Sequence, residues 1–279
     1  MPAAFIGHGS PMNTLEDNRF TAAWRAFGQA LPKPRAVLCV SAHWYISVTA
    51  VTAMKRPRTI HDFYGFPREL SEFQYPAAGD AKLAEEVSDL AKPDRVGLDG
   101  DSWGLDHGTW SVLAHVLPKA DVPVVQLSIN SHHDVDWHLA LGARLAPLRK
   151  KGVLILGSGN VVHNLRAMHW KEPELAFDWA TRFDEAAREV MTGRPAELGR
   201  LSAHSDYAMA APTDEHFLPL AYLAGLAVAA GKPAQQVVKG CAFGSISMAC
   251  YAMDAKVAAP AGAGPGAAPT TWPAEDTNT

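Results

Sequence analysis

Short apolar runs alternate with longer stretches of mixed polarity along most of this chain. Runs bounded by glycine, proline or serine predict buried strands at 2–6, 36–42, 48–53, 122–129, 152–157 and 237–243, with a last edge strand at 246–252. Stretches whose apolar residues recur every three or four positions predict helices over 19–30, 80–92, 109–117, 134–149, 176–192 and 215–230. Within 134–149, Trp137, Leu141 and Leu145 share one side, so this segment predicts a helix packed on a sheet, with His138 a surface residue of it. Alternating strands and helices predict an α/β fold: a single layered domain with a central mixed or mostly parallel sheet flanked by helices.

Two segments break the pattern. Residues 54–79 gather Pro57, His61, Phe63, Tyr64, Phe66, Pro67, Phe73, Tyr75 and Pro76 without a period. Aromatics held by prolines predict an ordered loop that caps something, because a structureless loop of this length in a compact domain is usually functional. His61 and Tyr64 are its candidate substrate-binding residues, with plain loop packing as the alternative. From 255 to 279 the composition turns to Ala, Gly, Pro and Thr, with Trp272 as its one large apolar residue. That stretch predicts a flexible tail behind a domain of residues 1–254.

Composition narrows the partners. With 279 residues and 48% hydrophobic content the chain has enough apolar surface for a large core. A net charge of −4 without a lysine or arginine cluster argues against nucleic acid or an anionic membrane, and leaves a small molecule as the expected partner. Cys39, Cys241 and Cys250 have no paired spacing, so the expected setting is a reducing cytoplasm. The N-terminus lacks the charged start and long apolar region of a secretory signal, and no run reaches the roughly 20 apolar residues of a membrane span. Nothing in the pattern specifies an oligomeric state.

The candidate chemistry lies in histidines. His8, His43, His163 and His216 each sit where an apolar run breaks into glycine, serine or a helix start. Three of them follow predicted strands, and the carboxyl edge of an open α/β sheet is where such folds bind ligands, so the four predict one metal centre. His8 lies between Gly7 and Gly9, which permits close backbone approach, and His43 follows the small residues Ser41 and Ala42. His216 follows Thr213-Asp214-Glu215, which also reads as a helix N-cap. Asp106-His107-Gly108 is a fifth candidate with the same helix-start alternative. By contrast His115, His132, His133, His138, His169 and His204 sit in polar or helical surroundings and stay outside the site. Neutral imidazoles suit Fe, Zn, Cu or Ni alike. The chain has no H-E-x-x-H helix and no G-x-S-x-G elbow around Ser10, and Val162 replaces the third glycine of a dinucleotide loop after Gly157 and Gly159.

Six ordered motifs extend from residue 7 to residue 216: Gly7-His8-Gly9-Ser10-Pro11-Met12-Asn13, Ser41-Ala42-His43-Trp44, Thr59-Ile60-His61-Asp62-Phe63-Tyr64-Gly65-Phe66-Pro67, Gly104-Leu105-Asp106-His107-Gly108, Gly157-Ser158-Gly159-Asn160-Val161-Val162-His163-Asn164 and Glu215-His216. Together they resemble the class III, LigB-type extradiol ring-cleavage dioxygenases, in the branch of DOPA 4,5-dioxygenases. The resemblance implies a non-haem Fe(II) held by His8, His43 and His216, with Glu215 as the alternative third ligand and Zn²⁺ as another metal the site accepts. It further implies His163 as acid/base and possible fourth ligand, and His107 as the residue that orients substrate or oxygen. The implied reaction opens a catechol ring, DOPA-like or related, with O₂. Two other readings use the same histidines: a zinc-dependent hydrolase that activates water, and a closed structural metal site without activity.

Overall fold

The computed structural model describes residues 1–255, so the tail expected over 255–279 lies, from residue 256 onward, outside the described residues. Its centre is an eight-stranded mixed sheet. In chain order the strands are β1 (Ala3–Gly7), β2 (Ala36–Ile46), β3 (Ala50–Thr52), β4 (Gly97–Asp99), β5 (Val124–Asn130), β6 (Val153–Gly159), β7 (Gln235–Val238), β8 (Cys241–Ala242), β9 (Ile246–Ser247) and β10 (Cys250–Met253). The sheet runs β4-β3-β5-β2-β6-β1-β10-β7, while β8 and β9 form a separate antiparallel pair. Strands β5, β2, β6 and β1 are mutually parallel, and antiparallel pairing begins at β3 on one flank and β10 on the other.

The parallel strands are apolar on both faces because both faces are covered. Phe5, Leu38, Val40, Leu127 and Ile155 point into one core, and Ile6, Val37, Cys39, Val124 and Leu156 into the other. The second core is closed by α1 (Arg19–Ala30), through Phe20, Trp24 and Phe27, and by α4 (His107–Val116), through Trp110 and Leu113. The first is closed by α3 (Ala81–Leu90), α5 (Val135–Arg144), α6 (Pro147–Lys150), α7 (Asp178–Gly193) and α9 (Pro219–Ala230), with the single turns α2 (Arg68–Ser71) and α8 (Tyr207–Ala210) completing the helices. No helix among the described residues is long and apolar enough to cross a membrane.

Local chemistry accounts for the departures from the predicted elements. The segment 134–149 divides into α5 and α6 because Pro147 has no N–H to continue α5 and starts the next turn instead. His138, expected on the surface, is fully buried, since α5 packs against α9 and reaches the end of β5. Its Nε2–H donates to the Asn130 carbonyl at 3.2 Å, and its Nδ1 accepts from the Tyr222 hydroxyl at 3.0 Å. The run 237–243 is broken at Gly240, φ +103°, into β7 and β8, and 246–252 divides into β9 and β10. Strand β4 carries no apolar alternation and exists through its parallel pairing with β3.

Candidate metal centre

The parallel strands deliver three of the five histidines to one edge of the sheet. Strand β1 ends at Gly7 and hands on His8. Strand β2 runs beyond its predicted end, and its pairing with β5 is interrupted between Val40 and Tyr45. Such bulges re-aim side chains, and His43 lies inside this one. Strand β6 continues through Gly159, so Gly157-Ser158-Gly159 is strand rather than turn, and His163 follows four residues later. His107 opens α4 behind the Asp106 cap, whose carboxylate accepts the Thr109 N–H at 3.1 Å, so the helix-start and site readings of this motif hold together. His216 lies in the turn ahead of α9 rather than in a helix from 215; its carbonyl accepts the Asn160 N–H at 2.9 Å.

Two close approaches make this convergence possible. A Cβ on Gly159 would lie 2.2 Å from the His216 carbonyl oxygen, and one on Gly108 would lie 2.8 Å from His43 Cδ2 and collide with Ser41 Oγ. Only glycine lets backbone come this near.

The rings of His8, His43 and His216 form a nearly equilateral triangle, with centroid separations of 5.0, 5.4 and 5.1 Å. His107 lies 3.8 Å from His43, and the His163 ring is stacked on His216 at 3.4 Å and 6°. Single donor atoms of His8, His43 and His107 come within 4.8 Å of one another, as do those of His163, Glu215 and His216.

Hydrogen-bond partners assign the ring protons. Ser158 Oγ donates to the Gly108 carbonyl at 2.5 Å, so it accepts from His8 Nδ1–H at 2.9 Å and leaves His8 Nε2 as a bare acceptor. His43 Nδ1–H faces Asp62 Oδ2 at 3.2 Å, which likewise bares its Nε2. The two Nε2 atoms then oppose each other lone pair to lone pair, 3.2 Å apart. Two nitrogens at roughly 2.0–2.1 Å from one cation stand ~2.9–3.4 Å apart, so this spacing fits adjacent ligands of a single metal. His216 Nδ1 faces Glu215 Oε1 at 3.1 Å, which turns its own Nε2 away from the carboxylate.

Electrostatics divides the cluster. Burial, reinforced by neighbouring imidazoles, pushes His8, His43 and His163 well below the ordinary imidazole value and keeps them neutral. Burial acts on His107 in the same direction, but the Asp62 carboxylate 2.9 Å from its Nδ1, aided by Asp106, outweighs it and raises His107. Against its own desolvation, Asp62 is held well below the usual carboxylate range by His107 and His43. Asp106, enclosed and near Asp62, is pushed up to about 6.

All five histidines line one pocket whose remaining wall is largely apolar. His61 and Tyr64 do not line it. His61 donates Nε2–H to the Phe73 carbonyl at 2.8 Å and packs on Trp110, while Tyr64 is 64% exposed. The aromatic loop reaches the site through Phe63, whose ring lies 5.6 Å from His107, and through Asp62. Asp62 is the one carboxylate in the Thr59–Pro67 motif, and that was its only signal in the sequence. Ser158 gave none, because a serine between glycines reads equally well as a turn.

Residues 2–249 match the family described as the catalytic LigB subunit of aromatic ring-opening dioxygenase. The chain is 46% identical over 252 residues to a 4,5-DOPA dioxygenase extradiol of Escherichia coli K12, covering 89% of this chain and 93% of that protein. It is 38% identical over 234 residues to a 4,5-DOPA dioxygenase extradiol of Beta vulgaris, covering 80% and 85%. A crystal structure of an uncharacterised Escherichia coli K12 protein matches with a TM-score of 0.80 at 41% identity, over 91% of this chain and 99% of that one. With a buried histidine cluster at the carboxyl edge of its sheet, the chain belongs to the LigB family of metal-dependent aromatic ring-opening dioxygenases, extradiol oxidoreductases that act on a small molecule with O₂.

Proposed function

We propose that the protein opens the ring of a catechol, DOPA-like or related, at an Fe(II) held by His8, His43 and His216. The observation that carries this reading is the opposed pair of bare Nε2 atoms, 3.2 Å apart, on His8 and His43. His216 completes the triangle, and Glu215 is better placed behind it as the acceptor for its Nδ1 than as a ligand. His107 is a poorer ligand, because a raised imidazole bound to Asp62 keeps its proton. When bound, Fe(II) with open positions lets a catechol and O₂ meet, whereas Zn²⁺ in the same ligands fills the site without redox chemistry.

The two remaining histidines supply opposite proton roles. Neutral His163 takes a catechol hydroxyl proton and later returns it, as an imidazole kept unprotonated at neutral pH is suited to do. His107 donates a hydrogen bond that orients substrate or oxygen, its charge sustained by Asp62. The surrounding apolar wall and Phe63 exclude water from the reacting groups. Three buried cysteines, none paired, support a cytoplasmic setting. No observation favours the hydrolase reading, and the relatives named above are dioxygenases.

The test is anaerobic reconstitution with Fe(II), addition of DOPA, caffeate, protocatechuate or plain catechol, then admission of air. A yellow ring-opened product with matching O₂ uptake is the expected result; no uptake with any catechol sinks the proposal. His8→Ala loses colour and metal together, whereas His163→Ala keeps its metal and loses turnover. Loss of metal from His163→Ala would make that residue a fourth ligand instead.

A further inference from the structure

The apolar part of the pocket wall is built from Pro11, Leu165, Ala242, Phe243, Ile246 and Met248. No Asp, Glu, Lys or Arg is among the described residues that line the pocket. Its other side-chain polar groups are already engaged. Ser10 Oγ accepts the Met12 N–H at 3.1 Å, and Asn13 donates to the His8 carbonyl at 2.9 Å while accepting from Asn18 at 2.8 Å. A charged substituent brought against these apolar side chains would lose its hydration, and the one cationic side chain of the pocket, His107, is already paired with Asp62.

Phe243 is the unusual member of this wall. It sits in the turn between β8 and β9 with φ +53°, a left-handed conformation that a residue with a Cβ disfavours. The surroundings hold it there from both sides. Its N–H donates to the Pro173 carbonyl at 3.1 Å and its carbonyl accepts the His169 N–H at 2.8 Å, while Gly244 exchanges similar bonds with Leu175 and Phe177 at 2.8 and 2.9 Å. The following Ser245 donates its hydroxyl to the Asn164 carbonyl at 2.7 Å, and Ile246 is bridged to His163 itself. A phenyl ring is thereby fixed against the site at a conformational cost that glycine would avoid. Strain of this kind persists where the surroundings over-determine it, and it concentrates at functional sites.

We propose that this wall is a subsite for an uncharged, apolar ring substituent, and that Phe243 is the residue that sets this specificity. The inference rests on the catechol dioxygenase reading and deepens it. An alkylcatechol fits the subsite better than DOPA, whose side chain carries an ammonium and a carboxylate at neutral pH.

The decisive experiment compares plain catechol, 4-ethylcatechol, dopamine and DOPA on the Fe(II)-loaded protein, both as kcat/KM in air and as anaerobic binding by calorimetry. The expected order places 4-ethylcatechol about tenfold or more above DOPA in both measurements, the scale of one good aromatic contact. DOPA equal to or better than 4-ethylcatechol overturns the subsite. If nothing is turned over, the dioxygenase reading fails, while the binding ratio still decides the subsite. In F243G the affinity for 4-ethylcatechol falls about tenfold and that for DOPA by less than threefold, at unchanged metal content. Equal losses for both ligands would make Phe243 a general packing residue. Without metal, F243G melts above F243A, because glycine meets the left-handed conformation freely; the reverse order removes the strain argument. If neither variant folds, the ratio measured on the unaltered chain stands as the test.

Discussion

Asp62 holds His107 at two points: its Oδ1 accepts the His107 backbone N–H at 3.0 Å, and its Oδ2 lies 2.9 Å from the ring Nδ1. The same Oδ2 lies 3.2 Å from His43 Nδ1. One carboxylate therefore orients a residue of the proposed ligand set and the proposed orienting donor together.

Asp62→Asn removes the charge and keeps the shape. Turnover should fall about 10- to 100-fold, the usual effect of losing a carboxylate behind a metal-bound histidine. His107 should lose its raised proton affinity as well, so activity falls off at lower pH than in the parent. Steady-state kinetics across a pH series, with circular dichroism to verify folding, checks both effects. A variant within twofold of the parent at every pH would refute the role.

Ser158→Ala leaves the His8 Nδ1 proton without its acceptor and frees the ring to change tautomer. Metal affinity should drop about tenfold with little change in melting temperature. Competition with a calibrated chelator measures this directly, and an unchanged dissociation constant would show that the tautomer is set some other way.

Gly159→Ala forces a Cβ against the His216 carbonyl, where 2.2 Å is available. The segment carrying His216 must shift, at a cost of roughly 1–3 kcal/mol. The variant should melt earlier and bind metal more weakly than the parent. Preserved metal binding would mean that His216 is not needed to hold the ion.

His138 governs acid sensitivity away from the site. Burial pushes it down to about 4 from the ordinary 6.5. Between those values the unfolded chain takes a proton and the folded chain does not, so stability is present above pH 6.5 and is lost as pH falls toward 4. The loss is roughly 3 kcal/mol when complete. Denaturant titrations at a series of pH values should show a flatter acid limb in His138→Gln than in the parent; parallel limbs would contradict this.

His8, His43 and His163 were legible because each follows a run whose hydrophobicity already declared a buried strand, whereas His107 and His216 showed only as histidines at helix starts. The ends of parallel strands gather on one edge, so strand position alone placed His8, His43 and His163 together. Helix α1 was legible in full, since its amphipathic stripe faces one core. Helix α9 is apolar on nearly every side, so composition rather than a stripe marked it, and its first residues were misread.

His138 and Asp62 show the limit of that reading. A histidine on a helix is exposed or buried according to what lies on its far side, and α9 supplies the cover from more than 80 residues away. Asp62 looked like one polar residue in an aromatic loop until the loop folded back onto α4. The sequence by itself determined the layered α/β class, the covered sheet and the family of its chemistry, because hydrophobic period and short motifs are local properties. Only the tertiary structure decided which carboxylate and hydroxyl fix the imidazole protons, and which apolar side chains share the pocket with them. Those are relations between segments distant in sequence, set by packing and not by neighbouring residues.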